Sequence, residues 1–225
     1  MILLGSVVNG GAVVVGGLVG MFVGKLLPER LRTSVMAALS LMTIGIAVPG
    51  LLKSNNALIP IISMVVGTLI GELLDIDSAV NKLGEKLQKR FSGSRVTEGF
   101  VTGSLVFAVG ALAVMGPLES GLQHQHSLLF SKSVIDGVAS IVFASTMGLG
   151  VALSGVTVFV VEGSIALLAS VVAPYLGEAV VNEITFVGSL LIVGISLNLL
   201  GVTKLRILNM VPAILLPILL CRFMG

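Results

Sequence analysis

ILLGSVVNGGAVVVGGLVGMFVGKL, residues 2–26, runs for 25 residues with a single ionisable side chain, Lys25, near its end. A bilayer core about 30 Å thick needs roughly 20 apolar residues in helical form, with every backbone group satisfied inside the segment. This stretch therefore reads as a membrane-spanning helix. Working outward, seven more stretches of similar character follow at about 33–52, 57–74, 97–119, 130–153, 156–174, 184–201 and 206–223. The turn between the fifth and sixth, Leu153-Ser154-Gly155-Val156, is short and uncharged, and fusing the two leaves seven spans. Of the 225 residues, 56% are hydrophobic and 11% charged, with a mean hydropathy of +1.13, which excludes an ordinary soluble enzyme. The expected fold is an all-α polytopic membrane bundle of about eight helices, residues 1–225 forming one integral membrane domain.

Basic residues orient the spans, because short cytoplasmic loops concentrate Lys and Arg. Eight spans place Lys25, Arg30, Arg32, Lys82, Lys86, Lys89, Arg90, Arg95, Lys204 and Arg206 on one side and Lys53, Lys132 and Arg222 on the other. Ten against three puts the first loop in the cytoplasm and both termini outside; seven spans lower the bias to eight against five. No basic segment precedes the first apolar run, so that run is expected to stay in the membrane. The charged stretch between the third and fourth spans has helical periodicity. Ile76, Val80, Leu83, Leu87 and Phe91 form one stripe away from Lys82, Lys86, Lys89 and Arg90. A basic amphipathic helix over about 76–95, lying on anionic headgroups, is expected.

Gly16, Gly20 and Gly24 in the first span and Gly67 and Gly71 in the third make flat helix faces that allow close crossing. Such faces serve packing within the chain or a seam between chains, and a homodimer is the expected assembly. Val15-Gly16-Gly17, Pro28 and Ile44-Gly45-Ile46 line up with Val161-Glu162-Gly163, Pro174 and Val193-Gly194-Ile195. Five spans separate the two starts, so a repeat of the first three and last three spans would be inverted, an architecture many secondary transporters use.

An ionisable side chain in the bilayer centre costs on the order of 3 kcal/mol on insertion scales, so buried ones mark partners, cavities or pathways. The fifth span reads Lys132-Ser133-x-x-Asp136-Gly137-x-x-Ser140, a small polar face that must look at protein or water. Lys132 and Asp136 have the i, i+4 spacing of an ion pair. Asp136 is placed about 9 Å below the outer surface and Glu162, in the sixth span, about as deep from the cytoplasmic side. Glu162 lacks a helical partner at three or four residues, which favours a cavity-facing or proton-carrying role. Asn9, Asn198 and Asn209 read as pathway residues or as interhelical hydrogen-bonding glue. Met115-Gly116-Pro117 predicts a kink or break in the fourth span, or the outer end of that helix, with Glu119 beside it. A break frees carbonyls that can hold a cation. His124 and His126 follow in a weak metal-ligand spacing, and no metal or cofactor is expected.

Lys132-Ser133-x-x-Asp136-Gly137-x-x-Ser140-x-x-Phe143-Ala144, followed by Gly148-x-Gly150-Val151 and Ser154, resembles the YdfK/YqgA-like family of bacterial inner-membrane proteins, a domain of unknown function. Val109-Gly110-Ala111-Leu112-Ala113-Val114-Met115-Gly116 with Gly121-Leu122, the early Asn9 followed by glycines, and Asn209-Met210-x-Pro212 carry the same resemblance. Where that family is expected to have glutamine before the glycine of the sixth span, this chain has Glu162. The resemblance implies a multi-spanning membrane protein and supplies no substrate.

The function expected is a transporter or channel for a small solute or ion, with acidic residues favouring a cation or proton. The pathway residues are Asp136, Glu162, Lys132, Ser133, Ser140, Glu119, Asn9, Asn198 and Asn209. The alternative is a non-transporting scaffold or sensor subunit. A catalytic role is not expected, since neither a G-x-S-x-G elbow nor an H-E-x-x-H pair is present and no His lies in a span.

Overall fold

A computed structural model describes residues 1–26, 28–79, 82, 95–109 and 111–224. The described residues contain helices and no strand. We number the longer helices α1 (Leu4–Lys25), α2 (Glu29–Leu51), α3 (Leu58–Leu74), α4 (Val96–Ala108), α5 (Ala111–Gln123), α6 (Ser127–Met147), α7 (Leu149–Leu167), α8 (Glu178–Leu199) and α9 (Leu216–Met224). Short helical turns at Ala169–Val172, Ala173–Tyr175, Ile207–Met210 and Val211–Ile214 fill the connections. Most of the amphipathic helix expected over 76–95 lies outside the described residues.

The polarity of the molecule is inverted relative to a soluble protein. Asn9, Lys132, Asp136, Glu162, Glu183 and Asn209 are buried, while Val15, Phe22, Leu41, Leu69, Val134 and Ile135 point outward from their helices. Soluble monomers rarely expose contiguous apolar surface on this scale, whereas lipid accepts it. Five helices are long and apolar enough to cross a membrane: α1, the Thr33–Leu51 part of α2, α6, α7 and α8. Two bent pairs raise the number to seven if each is one span, and α3, with 17 residues, falls short of the length test. Among the described residues the eight apolar stretches of the sequence thus fall largely on helices, but their bounds shift, two are bent pairs and one is short.

The two breaks differ in cause. The terminal pair, Ile207–Ile214 and Leu216–Met224, bends by 42° where Pro212 opens a tight turn and Pro217 occupies the second position of α9. Proline lacks the donor a continuous helix needs there and is well suited to a first turn. The fourth stretch bends by 59°, and the break is not at Pro117 as the sequence suggested. Pro117 lies inside α5, and Glu119 follows it in the same helix, which continues to Gln123. The chain instead becomes extended at Val109 (φ −114°, ψ 141°), whose side chain is pressed against the bare backbone of Gly188 in α8. Tertiary packing at Val109 therefore decides where the helix stops.

The turn between the fifth and sixth stretches is also displaced. It falls at Gly148 rather than at 153–156, and Gly148 has φ +70° and ψ −145°, a conformation that an L side chain rarely adopts. This shift changes the level of the charged residues. Counting 1.5 Å per residue, Asp136 and Glu162 lie about 17 and 20 Å from that turn, so they stand nearly level instead of near opposite surfaces.

α1 lies against both α6 and α7. A Cβ at Gly16, Gly20 or Gly24 would collide with the backbone of Gly137, Ile141 or Ser145 on α6, and one at Gly17 with Ala152 on α7. Gly67 and Gly71 of α3 meet Ala213 and Asn209 in the same way. The glycine faces from which a dimer seam was expected are thus covered within the chain. α2 packs on α8 and α3 on the terminal bent pair, so each of the first three helices touches one of the last three segments.

Candidate functional site

α1, α6 and α7 converge on a cluster of four polar side chains. Asn9 of α1 and Glu162 of α7 are 0% exposed, and Lys132 and Asp136 of α6 are 6% and 7% exposed. The spacing of Lys132 and Asp136 brings them onto one helix face, where they pair directly. The Lys132 ammonium also lies 3.3 Å from Glu162 Oε1. Asn9 Nδ2 donates to Asp136 Oδ2 at 3.1 Å and to Glu162 Oε1 at 2.9 Å, tying the two carboxylates together. Glu162 therefore has partners, on other helices, which the search at three and four residues along its own helix could not find.

The helix break supplies a further ligand. Lys132 Nζ donates to the Phe107 carbonyl at 2.5 Å. Phe107 is the penultimate residue of α4, and in a continued helix its carbonyl would accept from residue 111. A freed carbonyl able to hold a cation is one of the two readings of the Pro117 segment in the sequence. It occurs instead at Phe107, and the cation is the chain's own lysine.

Charge and hydrogen bonding remain unequal in this cluster. One ammonium faces two carboxylates, and Glu162 Oε2 and Asn9 Oδ1 are buried with no hydrogen-bond partner among the described residues. Each such atom is expensive in a low-dielectric interior.

The remaining candidates lie elsewhere or spend their polar atoms locally. Ser133 donates to the Leu129 carbonyl and Ser140 to the Gly137 carbonyl, both on their own helix, and the small face they make receives α1. Glu119 accepts from Ser127 at the end of α5. Asn198 closes the end of α8, donating to the Leu205 carbonyl and accepting from Leu205 N–H and Thr203. Asn209 Oδ1 accepts the Asp77 N–H at 2.7 Å. These three asparagine and glutamate positions do not join the cluster. His126 faces Ser120 at 2.7 Å, and among the described residues no group of three His, Cys, Asp or Glu has metal-binding geometry.

A second charged cluster surrounds Arg206, beside α3. Its guanidinium meets Glu72 at 2.7 Å, pairs with Asp75 and lies 3.9 Å from Asp77. A hydrogen bond from Ser78, helped by Arg206 and opposed by modest desolvation, holds the Asp75 carboxyl below its ordinary value. A third buried acid, Glu183 on α8, lies one residue ahead of the seventh apolar stretch and so escapes a search confined to the spans. Val180 and Val181 ahead of it were the available signal, since they carry the apolar pattern back past Glu183.

A family model described as a protein of unknown function, DUF554, matches residues 4–222. The chain is 31% identical to the uncharacterized membrane protein YdfK of Bacillus subtilis over 219 residues, covering 96% of this chain and 94% of that protein. It is 26% identical to the uncharacterized protein YqgA of Escherichia coli over 220 residues, covering 95% and 94% respectively. No solved structure matches the chain. With the inverted polarity, the apolar helices and these full-length similarities together, the chain is an all-α membrane protein that belongs to the DUF554 family.

Proposed function

We propose that the protein carries a proton or another small cation across a bacterial inner membrane, using Lys132, Asp136, Glu162 and Asn9 as its site. The observation that carries this reading is the unequal charge of the buried cluster, one ammonium for two carboxylates, with Glu162 Oε2 and Asn9 Oδ1 left without partners. Intramembrane ionisable groups are expensive and usually functional. A proton placed on Glu162 Oε2 cancels the surplus charge and creates a donor for which Asn9 Oδ1 is the free acceptor. Combined with the existing Asn9 Nδ2 to Glu162 Oε1 bond, this would close an amide–acid pair. Departure of the proton would restore the charge and leave Lys132 shared between two carboxylates. The contacts of α1 with α7, α2 with α8 and α3 with the terminal pair support an inverted repeat, which would put the cluster between halves able to move against each other.

Purified protein in vesicles tests this. Ion flux dependent on a pH or cation gradient is expected, with loss of at least tenfold in Glu162→Gln and Asp136→Asn. Absence of flux across a panel of H⁺, Na⁺, K⁺ and Mg²⁺, or flux unchanged in both variants, would overturn the reading. The ten-to-three distribution of basic residues supports both termini facing outward, which reporter fusions at the carboxy terminus check. A homodimer would need a face other than the glycine stripes, and crosslinking in native membranes tests for it.

A scaffold or sensor subunit is the second reading, favoured by the closure of the cluster. Its four residues are at most 7% exposed, which suits a structural ion network as well as an occluded site. A stable partner recovered in gentle detergent, together with no flux, would establish it over transport.

A further inference from the structure

At one end of the bundle a cavity of about 530 Å³ opens where the α2–α3 connection, the Pro174–Tyr175 turn, the start of α8 and the second half of α9 meet. That volume falls within the roughly 300–1,000 Å³ of small-molecule sites. Its two charged walls are each incomplete. Glu183 is 3% exposed, and its Oε1 accepts the backbone N–H groups of Asn55 at 3.0 Å and Asn56 at 3.3 Å. Its Oε2 is buried and has no donor among the described residues. Arg222 lies 6.0 Å from the Tyr175 ring centroid, and among the described residues no carboxylate pairs with it. Ile59, Val180 and Ile218 supply apolar wall between them.

A buried carboxylate oxygen without a donor calls for an N–H group, best a charged one, and a free guanidinium matches a carboxylate. One molecule supplies both. We infer that this cavity binds a small zwitterion with an ammonium and a carboxylate group, of the α-amino-acid class with an aliphatic side chain. The ammonium meets Glu183 Oε2, the carboxylate meets Arg222, and the side chain lies along Ile59, Val180 and Ile218. This site shares no residue with the Lys132 cluster and does not depend on the transport reading.

Calorimetric titration of the full-length protein in detergent tests the inference with three probes: L-leucine, its methyl ester, which lacks the carboxylate, and 4-methylpentanoate, which lacks the ammonium. Leucine is expected to bind at least tenfold more tightly than either analogue. Glu183→Gln should erase the advantage of leucine over 4-methylpentanoate. Arg222→Gln should erase its advantage over the methyl ester. Gln at 183 keeps an oxygen for Asn55 and Asn56, and Arg222 is exposed, so thermal unfolding near that of the unsubstituted chain is expected of both. If Glu183→Gln fails to fold, Arg222→Gln alone still decides. Equal binding of the three probes, no binding of leucine, or insensitivity to the substitutions would overturn the site; the last result would leave Glu183 as a brace for the α2–α3 connection.

Discussion

Lys132 and Arg206 each gather several carboxylates around one cation, and the two clusters differ chiefly in what surrounds them. The Lys132 side chain is 7% exposed and its partners Asp136 and Glu162 are 9% and 0% exposed; Arg206 is 43% exposed, and Glu72 and Asp75 are similarly open. Water and salt screen the second cluster and soften the loss of any member. Nothing comparable relieves the first, where removal of the lysine strands both carboxylates in a low dielectric. The same inventory of charges is therefore an adjustable surface feature in one place and a constraint on the whole fold in the other.

The strongest way to break this contrast is to remove the buried cation. Lys132→Met should destabilise the protein by about 3–5 kcal/mol, read as thermal unfolding in detergent. The triple variant Lys132→Met, Asp136→Asn, Glu162→Gln should recover more than half of that loss, because no buried charge is left uncompensated. Equal stability of the single and triple variants would show that the cluster's charges are already screened.

The next effect tests the packing that brings the charges together. Gly20→Ala forces a Cβ into the Ile141 carbonyl on α6 and should cost about 1–3 kcal/mol, since a helix backbone cannot yield as a flexible side chain does. Gly11→Ala, on the same helix with open space at its Cβ, should change stability by less than about 0.5 kcal/mol. A similar cost at both positions would separate the glycine face from close helix approach.

Arg206→Ala should cost no more than about 1 kcal/mol, and raising the salt concentration should shrink that cost further. A salt-insensitive loss as large as that of Lys132→Met would erase the distinction between the clusters. The smallest effect belongs to Asp75. Its folded carboxyl is held below the unfolded value, so its contribution to stability is present above that value and disappears as the pH falls through the folded one. Ser78→Ala should move the Asp75 titration, followed by carboxyl carbon NMR, upward toward the ordinary range, and Arg206→Ala should do so less.

Much of the site was legible as a set of residues and little of it as an arrangement. Lys132, Asp136, Glu162 and Asn9 stood out because polar side chains in apolar helices need a reason to be there. Their meeting did not, because it depends on a turn at Gly148 that carries no charge and on a helix break at Val109 that a neighbour imposes. Local rules pointed to Pro117, yet a transmembrane helix can absorb a proline when its surroundings satisfy the freed groups. Ser133 and Ser140 were ambiguous for a related reason: small hydroxyl residues read equally as a polar lining or as a smooth face for another helix.

By itself, the sequence determined that this chain is a helical membrane protein, because the length and apolarity of its runs leave the backbone no other way to be satisfied in lipid. It also marked which side chains would be costly to bury. Only the tertiary structure decided that Glu162 would share Lys132 with Asp136, that the lysine would take the Phe107 carbonyl, and that Glu183 would face a cavity with Arg222. Asn9 reaches Glu162 across 153 positions in the same cluster, and distance between helices, unlike periodicity along one, is set by how all the faces pack at once.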